Sequence, residues 1–288
     1  MVTCPSAGAT EFHVYYLGGQ SNMDGYGYVN ELPADLAQVQ KKIMIFHGNA
    51  SPDEVSIDGN GLWVTLKPGH GVGFKSDGKK NQYSSRFGVE LTFAQRIQKQ
   101  FPSRRIAIIK YSRGGTSIAA DTAGAFGCWE PDFKGRNGVN QYDHFLATVR
   151  HAYADSDIDD DGTPDRLIPA GIVWMQGESD AHYTPEIAEK YQSNLQRLMN
   201  LIRASFRNDD LPIVIGQISC SRKEPPTWKH GEIVRAAQAA YAKTDANAAL
   251  VNSTDKYNYS DPWHYDSPAY IDLGRQLAYT MMKLETQK

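Results

Sequence analysis

Apolar and β-branched residues gather in five short runs, at residues 12–17, 105–111, 170–175, 212–218 and 248–252, and most of them show no apolar–polar alternation. An alternating strand has one wet face. A continuous run of this length reads as a strand covered on both faces, the pattern of a parallel sheet. Between the runs the period lengthens to that of a helix. Phe93, Ile97 and Phe101 recur every fourth residue, as do Ile187, Tyr191 and Leu195, continued by Leu198, Leu201 and Ile202. Further helices are predicted over residues 140–153, 231–243 and 268–284. The first carries Asp143 and His144 on its outer face, and the last presents Ile271, Leu277, Ala278 and Met281 to the core. Strand and helix thus alternate, which predicts a three-layer α/β/α sandwich around a mostly parallel five-stranded sheet of flavodoxin-like plan. Residues 24–85, rich in Gly, Asn and Pro, break the alternation. They read as a long loop insertion after the first strand that walls one side of a site. With no linker and no internal repeat, residues 1–288 are expected to form a single domain.

Composition narrows the function classes. Of 288 residues, 41% are apolar and 22% charged, and the formal net charge is -3, which offers no basic surface for nucleic acid or an anionic membrane. No stretch approaches the roughly 18 apolar residues of a membrane span. The chain reaches Phe12 without a basic region and apolar core, so no signal peptide is read. An exported or periplasmic enzyme whose leader has been removed is the expectation, and a cytoplasmic one is also compatible. Cys4, Cys128 and Cys220 have no metal-like spacing, and their odd number leaves a disulfide open. Sixteen Tyr and five Trp include Tyr26, Tyr28, Trp129, Trp228 and Trp263 in loop-like segments, where rings either stack on sugars or plug loops onto the core.

Four segments carry candidate chemistry, each at the end of a predicted strand. Gly19-Gln-Ser21-Asn-Met23 follows the first run, and its glycines allow the tight turn that would leave Ser21 at the carboxyl edge of the sheet. Lys110-Tyr-Ser-Arg-Gly-Gly-Thr-Ser117 ends the second run; adjacent glycines let backbone N–H groups turn toward an anion or oxyanion. Trp174-Met-Gln-Gly-Glu-Ser-Asp180 ends the third, where Gln176 can offer a side-chain oxyanion donor. Glu178 needs a cation or several donors, for which Lys110 and Arg113 are candidates, and it reads as scaffold. A glycosidase acid–base pair of Glu178 and Asp180 is the weaker alternative, since it leaves Ser21 unexplained. In Ser260-Asp-Pro-Trp-His-Tyr-Asp266, Asp261 stands three residues before His264 and can orient its imidazole to take a serine proton.

In this order the four segments resemble the blocks of the SGNH-hydrolase superfamily, and more narrowly the sialate O-acetylesterase and acetylxylan esterase group, carbohydrate esterase family six. Arg86-Phe-Gly-Val-Glu90 is similar to that group's Phe-Gly-x-Glu segment. The resemblance spans almost the whole chain. It implies a serine esterase that removes acetyl groups from a carbohydrate, with Ser21 as nucleophile, His264 as general base and Asp261 as its orienting acid. It further implies an oxyanion hole from the N–H groups of Ser21 and Gly115 and the Gln176 side chain, with Gly114 as the alternative glycine. Gln20, Asn22, Lys110 and Glu178 take supporting roles; Asp255, which also follows the last strand, is a reserve acid whose expected role is a cap or a surface turn. The implied partner is an acetylated carbohydrate, with no cofactor for catalysis. A lipid or thioester hydrolase of the superfamily and a non-catalytic glycan-binding module are the rival readings.

One segment stands outside these blocks. Asp157, Asp159, Asp161 and Asp165 occupy positions one, three, five and nine of a calcium loop, with Gly162 at six and Thr163 at seven. Position twelve is Ile168, so the bidentate Glu is missing. A structural calcium and a solvated acidic turn are equally open at this point.

Overall fold

Neighbouring residues of a strand face opposite sides of a sheet, and Tyr15 and Tyr16 show why the first run has no polar side. In the computed structural model, which describes residues 9–49, 59–135 and 139–286, strand β1 is Thr10–Gly19. Tyr15 packs edge-on against Phe93 in one helical layer, with ring centroids 5.3 Å apart. Tyr16 meets Phe145 in the other layer at 4.7 Å. Both rings are fully buried, and the Tyr15 hydroxyl donates to Glu285 at 2.6 Å.

Six further strands join this one: β2 (Ile43–His47), β3 (Trp63–Thr65), β4 (Arg105–Ser112), β5 (Asp165–Met175), β6 (Ile213–Gly216) and β7 (Ala248–Val251). The sheet order is β7-β6-β5-β1-β4-β2-β3. Every pairing is parallel except that of β2 with β3. The helices are α1 (Ser21–Asp24), α2 (Glu90–Gln100), α3 (Gln141–Ala154), α4 (Pro185–Glu189), α5 (Tyr191–Ser205), α6 (Gly231–Thr244) and α7 (Ser267–Thr286). Helices α2 and α7 pack together over one face, and α5 packs on α6 over the other. The strand order reverses at β1, which has β4 on one side and β5 on the other. In such sheets the crevice for a ligand opens at the carboxyl ends of the strands at that reversal.

The sheet has seven strands where five were expected, and both extra strands come from the segment read as a loop insertion. The apolar part of β2 is four residues, wedged between Lys41-Lys42 and a stretch of turn formers, and β3 has only three residues. Neither is long enough to show a period. Residues 50–58 of that segment lie outside the described residues, as does Cys4. Strand β5 starts earlier than expected because its first half is only partly buried and includes Pro169, where the register with β1 slips between Val14 and Tyr15. His144 is buried rather than outward: α3 turns it toward β4, 6.0 Å from the Tyr111 ring. Asp143 does face solvent. Cys128 and Cys220 are free thiols.

Candidate active site

At the end of β1 the chain must pass under β5, and only glycine fits. Gly19 has φ 144°, and a Cβ there would stand 2.0 Å from the Met175 carbonyl oxygen. The chain turns at once into α1, which puts Ser21 at its first helical position, 8% exposed at the carboxyl edge. A helix's first N–H groups have no acceptor within the helix, so the Ser21 N–H is turned away from the α1 ladder.

The loop after β7 carries Asp261 and His264. His264 Nδ1 lies 2.7 Å from Asp261 Oδ2, and because a carboxylate only accepts, Nδ1 carries a proton, which in the neutral ring leaves Nε2 as the acceptor nitrogen. The N–H groups of Trp263 and His264 both donate to Asp261 Oδ1 at 2.8 Å. Burial pushes the Asp261 carboxyl up, but the hydrogen bonds from His264 and Trp263 outweigh it and hold the group below its ordinary value. The Tyr26 ring stacks flat on the imidazole, with centroids 3.5 Å apart at 5°. Asp255, the reserve acid, is instead paired with Arg235 at 2.7 Å.

The glycine loop after β4 reaches the same edge. A Cβ on Gly114 would stand 3.2 Å from Ser21 Cβ, so the loop lies against the serine turn. The Gly114 N–H donates to Asp24 Oδ2 at 2.9 Å, and Ser112 Oγ donates to the other Asp24 oxygen. That bond removes Gly114 from the alternatives for an oxyanion donor. Gly115 has φ 72°, a turn that glycine accepts, and carries the Phe126 ring close over its Cα.

Gln176 departs from expectation. It is fully buried, and both hydrogens of its amide are taken, by Thr116 O at 3.1 Å and Asp180 Oδ2 at 2.6 Å. A reversed amide would set oxygen against the Asp180 carboxylate, so the network fixes the orientation. Gln176 is therefore scaffold in this geometry, holding the residue after Gly115 rather than facing a substrate. Asp180 is also fully buried and accepts from the Ile118 and Ala119 N–H groups, which rules it out as a glycosidase acid.

Lys110 and Glu178 do not pair with each other. The Lys110 ammonium is spent on Glu90 Oε2 at 2.8 Å, His70 O at 2.8 Å and Asp24 O at 2.9 Å. Lys110 and Glu90 are both fully buried. Glu178 instead accepts from Asn22 Nδ2 at 2.7 Å, and burial pushes its carboxyl up. Gln20 Oε1 accepts from the Gly177 and Ser179 N–H groups at 3.2 and 3.4 Å.

In the acidic loop, Asp157, Asp159 and Asp165 bring carboxylate oxygens within 4.8 Å of one another. Asp161 and Thr163 lie outside that group. Asp161 Oδ1 accepts the Thr163 N–H, and the Asp161 N–H donates to Asp157. One oxygen each of Asp159 and Asp165 is buried without a hydrogen-bond partner, and burial followed by the neighbouring Asp charges pushes the Asp165 carboxyl up. The other oxygens are engaged, Asp159 with Arg105, Asp157 with the Asp161 and Gly162 N–H groups and Asp165 with the Ile158 N–H, so the two unpartnered oxygens are what the loop offers a hard cation such as calcium.

Sequence reasoning missed Tyr26 as the cover of His264, along with Asp24, Asp180 and His70 as framework. No spacing signals these roles. Glu90 did have one, since it ends the Phe-Gly-x-Glu segment. Among the exposed large rings, Trp263 neighbours His264 and Phe126 covers Gly115, while Tyr183 follows the third segment.

The sequence matches the family described as "Carbohydrate esterase, sialic acid-specific acetylesterase" over residues 11–283. No curated protein matches it. Among solved structures the chain is similar to a protein from Arabidopsis thaliana, with 19% identity and TM-score 0.62, covering 96% of this chain and 99% of that one. It is similar to a carbohydrate acetylesterase from Xanthomonas citri, with 18% identity and TM-score 0.63, covering 96% of this chain and 57% of that one. NanS, at 14% identity and TM-score 0.63, is covered over 99% of its length by 97% of this chain. These likenesses are of fold. The family match covers nearly the whole chain, and the chain therefore belongs to the carbohydrate esterases of the sialic acid-specific acetylesterase family.

Proposed function

We propose that this esterase is serine-dependent and removes O-acetyl groups from a carbohydrate through an acetyl-enzyme. The observation that carries the reading is the 2.7 Å bond from His264 Nδ1 to Asp261, on a loop packed beside the Ser21 turn. His264 Nε2 takes the Ser21 proton as Oγ attacks the acetyl carbonyl. The Ser21 and Gly115 N–H groups receive the oxyanion, the sugar hydroxyl leaves with the proton from His264, and water repeats the sequence. The exposed rings of Trp263 and Phe126 supply sugar-stacking faces on the two flanks.

A carboxylated sugar such as O-acetyl sialic acid is favoured over neutral acetylxylan. A cavity of about 520 Å³ adjoins the base loop, to which Ser221 is tied through Pro262 O at 2.7 Å. Trp228 lines it together with Arg222, Lys223 and Lys229, which have no carboxylate partner among the described residues, while the lining carboxylates Glu232 and Asp255 are paired with Arg235. A calcium ion at Asp157, Asp159 and Asp165 would pin the loop into β5 and takes no part in the reaction. Among the described residues no helix is long and apolar enough to cross a membrane. An exported location, where calcium is plentiful, fits that ion best.

The test is acetate release from a panel of acetylated glycans, with Ser21→Ala beside the parent protein. Turnover should fall by roughly 10⁴–10⁶ in the variant, and a fluorophosphonate should label the parent alone. Undiminished aryl-acetate hydrolysis by Ser21→Ala would refute the serine mechanism. A preference for long acyl chains would point to the lipid-hydrolase alternative, and absence of labelling and turnover to a glycan-binding module.

A further inference from the structure

Asn22, the residue after the nucleophile, makes four side-chain hydrogen bonds at this edge. It is 2% exposed. Its amide donates to Glu178 Oε1 at 2.7 Å and to Trp263 O at 3.2 Å. Its oxygen accepts from the Tyr270 hydroxyl at 2.7 Å and, at the 3.5 Å limit, from the Tyr265 N–H. Two donors and two acceptors are the full capacity of a carboxamide. Trp263 and Tyr265 bracket His264 in the chain. One side chain, anchored beside Ser21, thus grips the base loop on both flanks of the base.

Glu178 gives this grip a direction as well as packing. It is 1% exposed, and its second oxygen is buried with no partner. Burying an unsatisfied carboxyl oxygen costs free energy that an apolar residue of similar size would avoid. What Glu178 alone provides is an acceptor for the Asn22 amide. With that acceptor on one side and the Tyr270 hydroxyl on the other, the amide has one orientation, and its remaining hydrogen faces the Trp263 carbonyl.

We propose that Asn22 is a positioning residue that sets the separation of Ser21 from His264, with Glu178 locking its orientation. The proposal rests on the serine mechanism above. A misplacement of about 1 Å between reacting groups can cost about 10²-fold in rate. Asn22→Leu, which keeps the volume and removes all four bonds, should therefore lower kcat for an aryl acetate by about 10²-fold with KM within about threefold. Labelling of Ser21 by a fluorophosphonate should slow in parallel, measured on protein shown to be folded by circular dichroism. Glu178→Leu should show the same split, and Glu178→Gln, which keeps an acceptor for Asn22, should recover most of that loss. If Asn22→Leu does not fold, the Glu178 pair carries the test. A purely structural role would lower the melting temperature and leave kcat and the labelling rate of the folded protein alone. Folded Asn22→Leu or Glu178→Leu with parental kcat, while Ser21→Ala is inactive, would overturn the clamp alone. An active Ser21→Ala would overturn the serine mechanism and the clamp with it.

Discussion

Acidification should weaken this fold through a buried pair of histidines, and the share of one of them can be isolated. His70 is fully buried, packs on Phe74 at 4.8 Å, and lies Nδ1 to Nδ1 with His47 at 3.3 Å. A single proton fits between those two nitrogens, so one ring donates and the other accepts, and charging the pair sets N–H against N–H. His70 Nε2 has no partner. Burial, then the Lys110 and Lys67 charges, push its pKa down to about 3. The unfolded chain takes up the proton near 6.5 and the folded chain only near 3, so the stabilising contribution is complete above 6.5 and is lost as pH falls. The full window is worth about 5 kcal/mol, of which about 2 kcal/mol is gone by pH 5.

The parent protein alone cannot display this, because other groups oppose it. Burial raises the Asp24, Glu178 and Asp180 carboxyls, so each binds its proton more tightly when folded and gains stability on acidification. The measurement is therefore a difference. His70→Gln keeps a hydrogen-bonding partner for His47 and does not titrate. Urea unfolding of both proteins at pH 7.5 and pH 5 gives two losses of stability, and that of the variant should be smaller by about 2 kcal/mol. His47 is lowered mainly by burial and then by Lys110, both of which remain, so its share largely cancels. Equal losses in the two proteins would refute the reasoning.

Two further outcomes follow from the framework. Lys110→Met leaves the Glu90 carboxylate buried without its cation and should cost about 3–5 kcal/mol, part of which Lys110→Met with Glu90→Gln should return, as read by urea unfolding. Calcium at about a hundred times its Kd should stabilise the protein by about 2.7 kcal/mol. A chelator should reverse that rise in melting temperature, and Asp159→Asn or Asp165→Asn should abolish it.

The groups that resemble catalytic ones were legible because each lies on a short local motif. Asp261 and His264 are three residues apart on one loop, so their bond needs no knowledge of the fold. Strands β1, β4 and the second half of β5 were legible because both faces are covered and the run is unbroken. β2 and β3 were not, since a four-residue apolar run and a three-residue edge strand carry no period. Gln176 shows the other limit. Its position at a strand end suggested a donor facing substrate, yet direction depends on Asp180, Thr116 and Tyr191, which come from three separate places in the chain. Lys110 was read as a candidate cation for Glu178 and pairs with Glu90 instead, because the Phe-Gly-x-Glu segment marks Glu90 without showing which strand its helix docks on.

These partners give the serine turn a role beyond presenting Ser21. Successive residues of a helical turn point about 100° apart, so one turn can address several loops at once. Gln20 takes two N–H groups of the loop after β5. Asn22 takes Glu178 and the base loop. Asp24 takes Ser112 and the Gly114 N–H of the glycine loop. The three loops that carry His264, Gly115 and Glu178 are thus each fastened to a five-residue stretch around Ser21. Errors in the position of any loop are then measured from Ser21 itself and do not accumulate through the sheet. Polar side chains flank the serine because a loop backbone can be held by hydrogen bonds at a fixed distance, which apolar contact alone does not define.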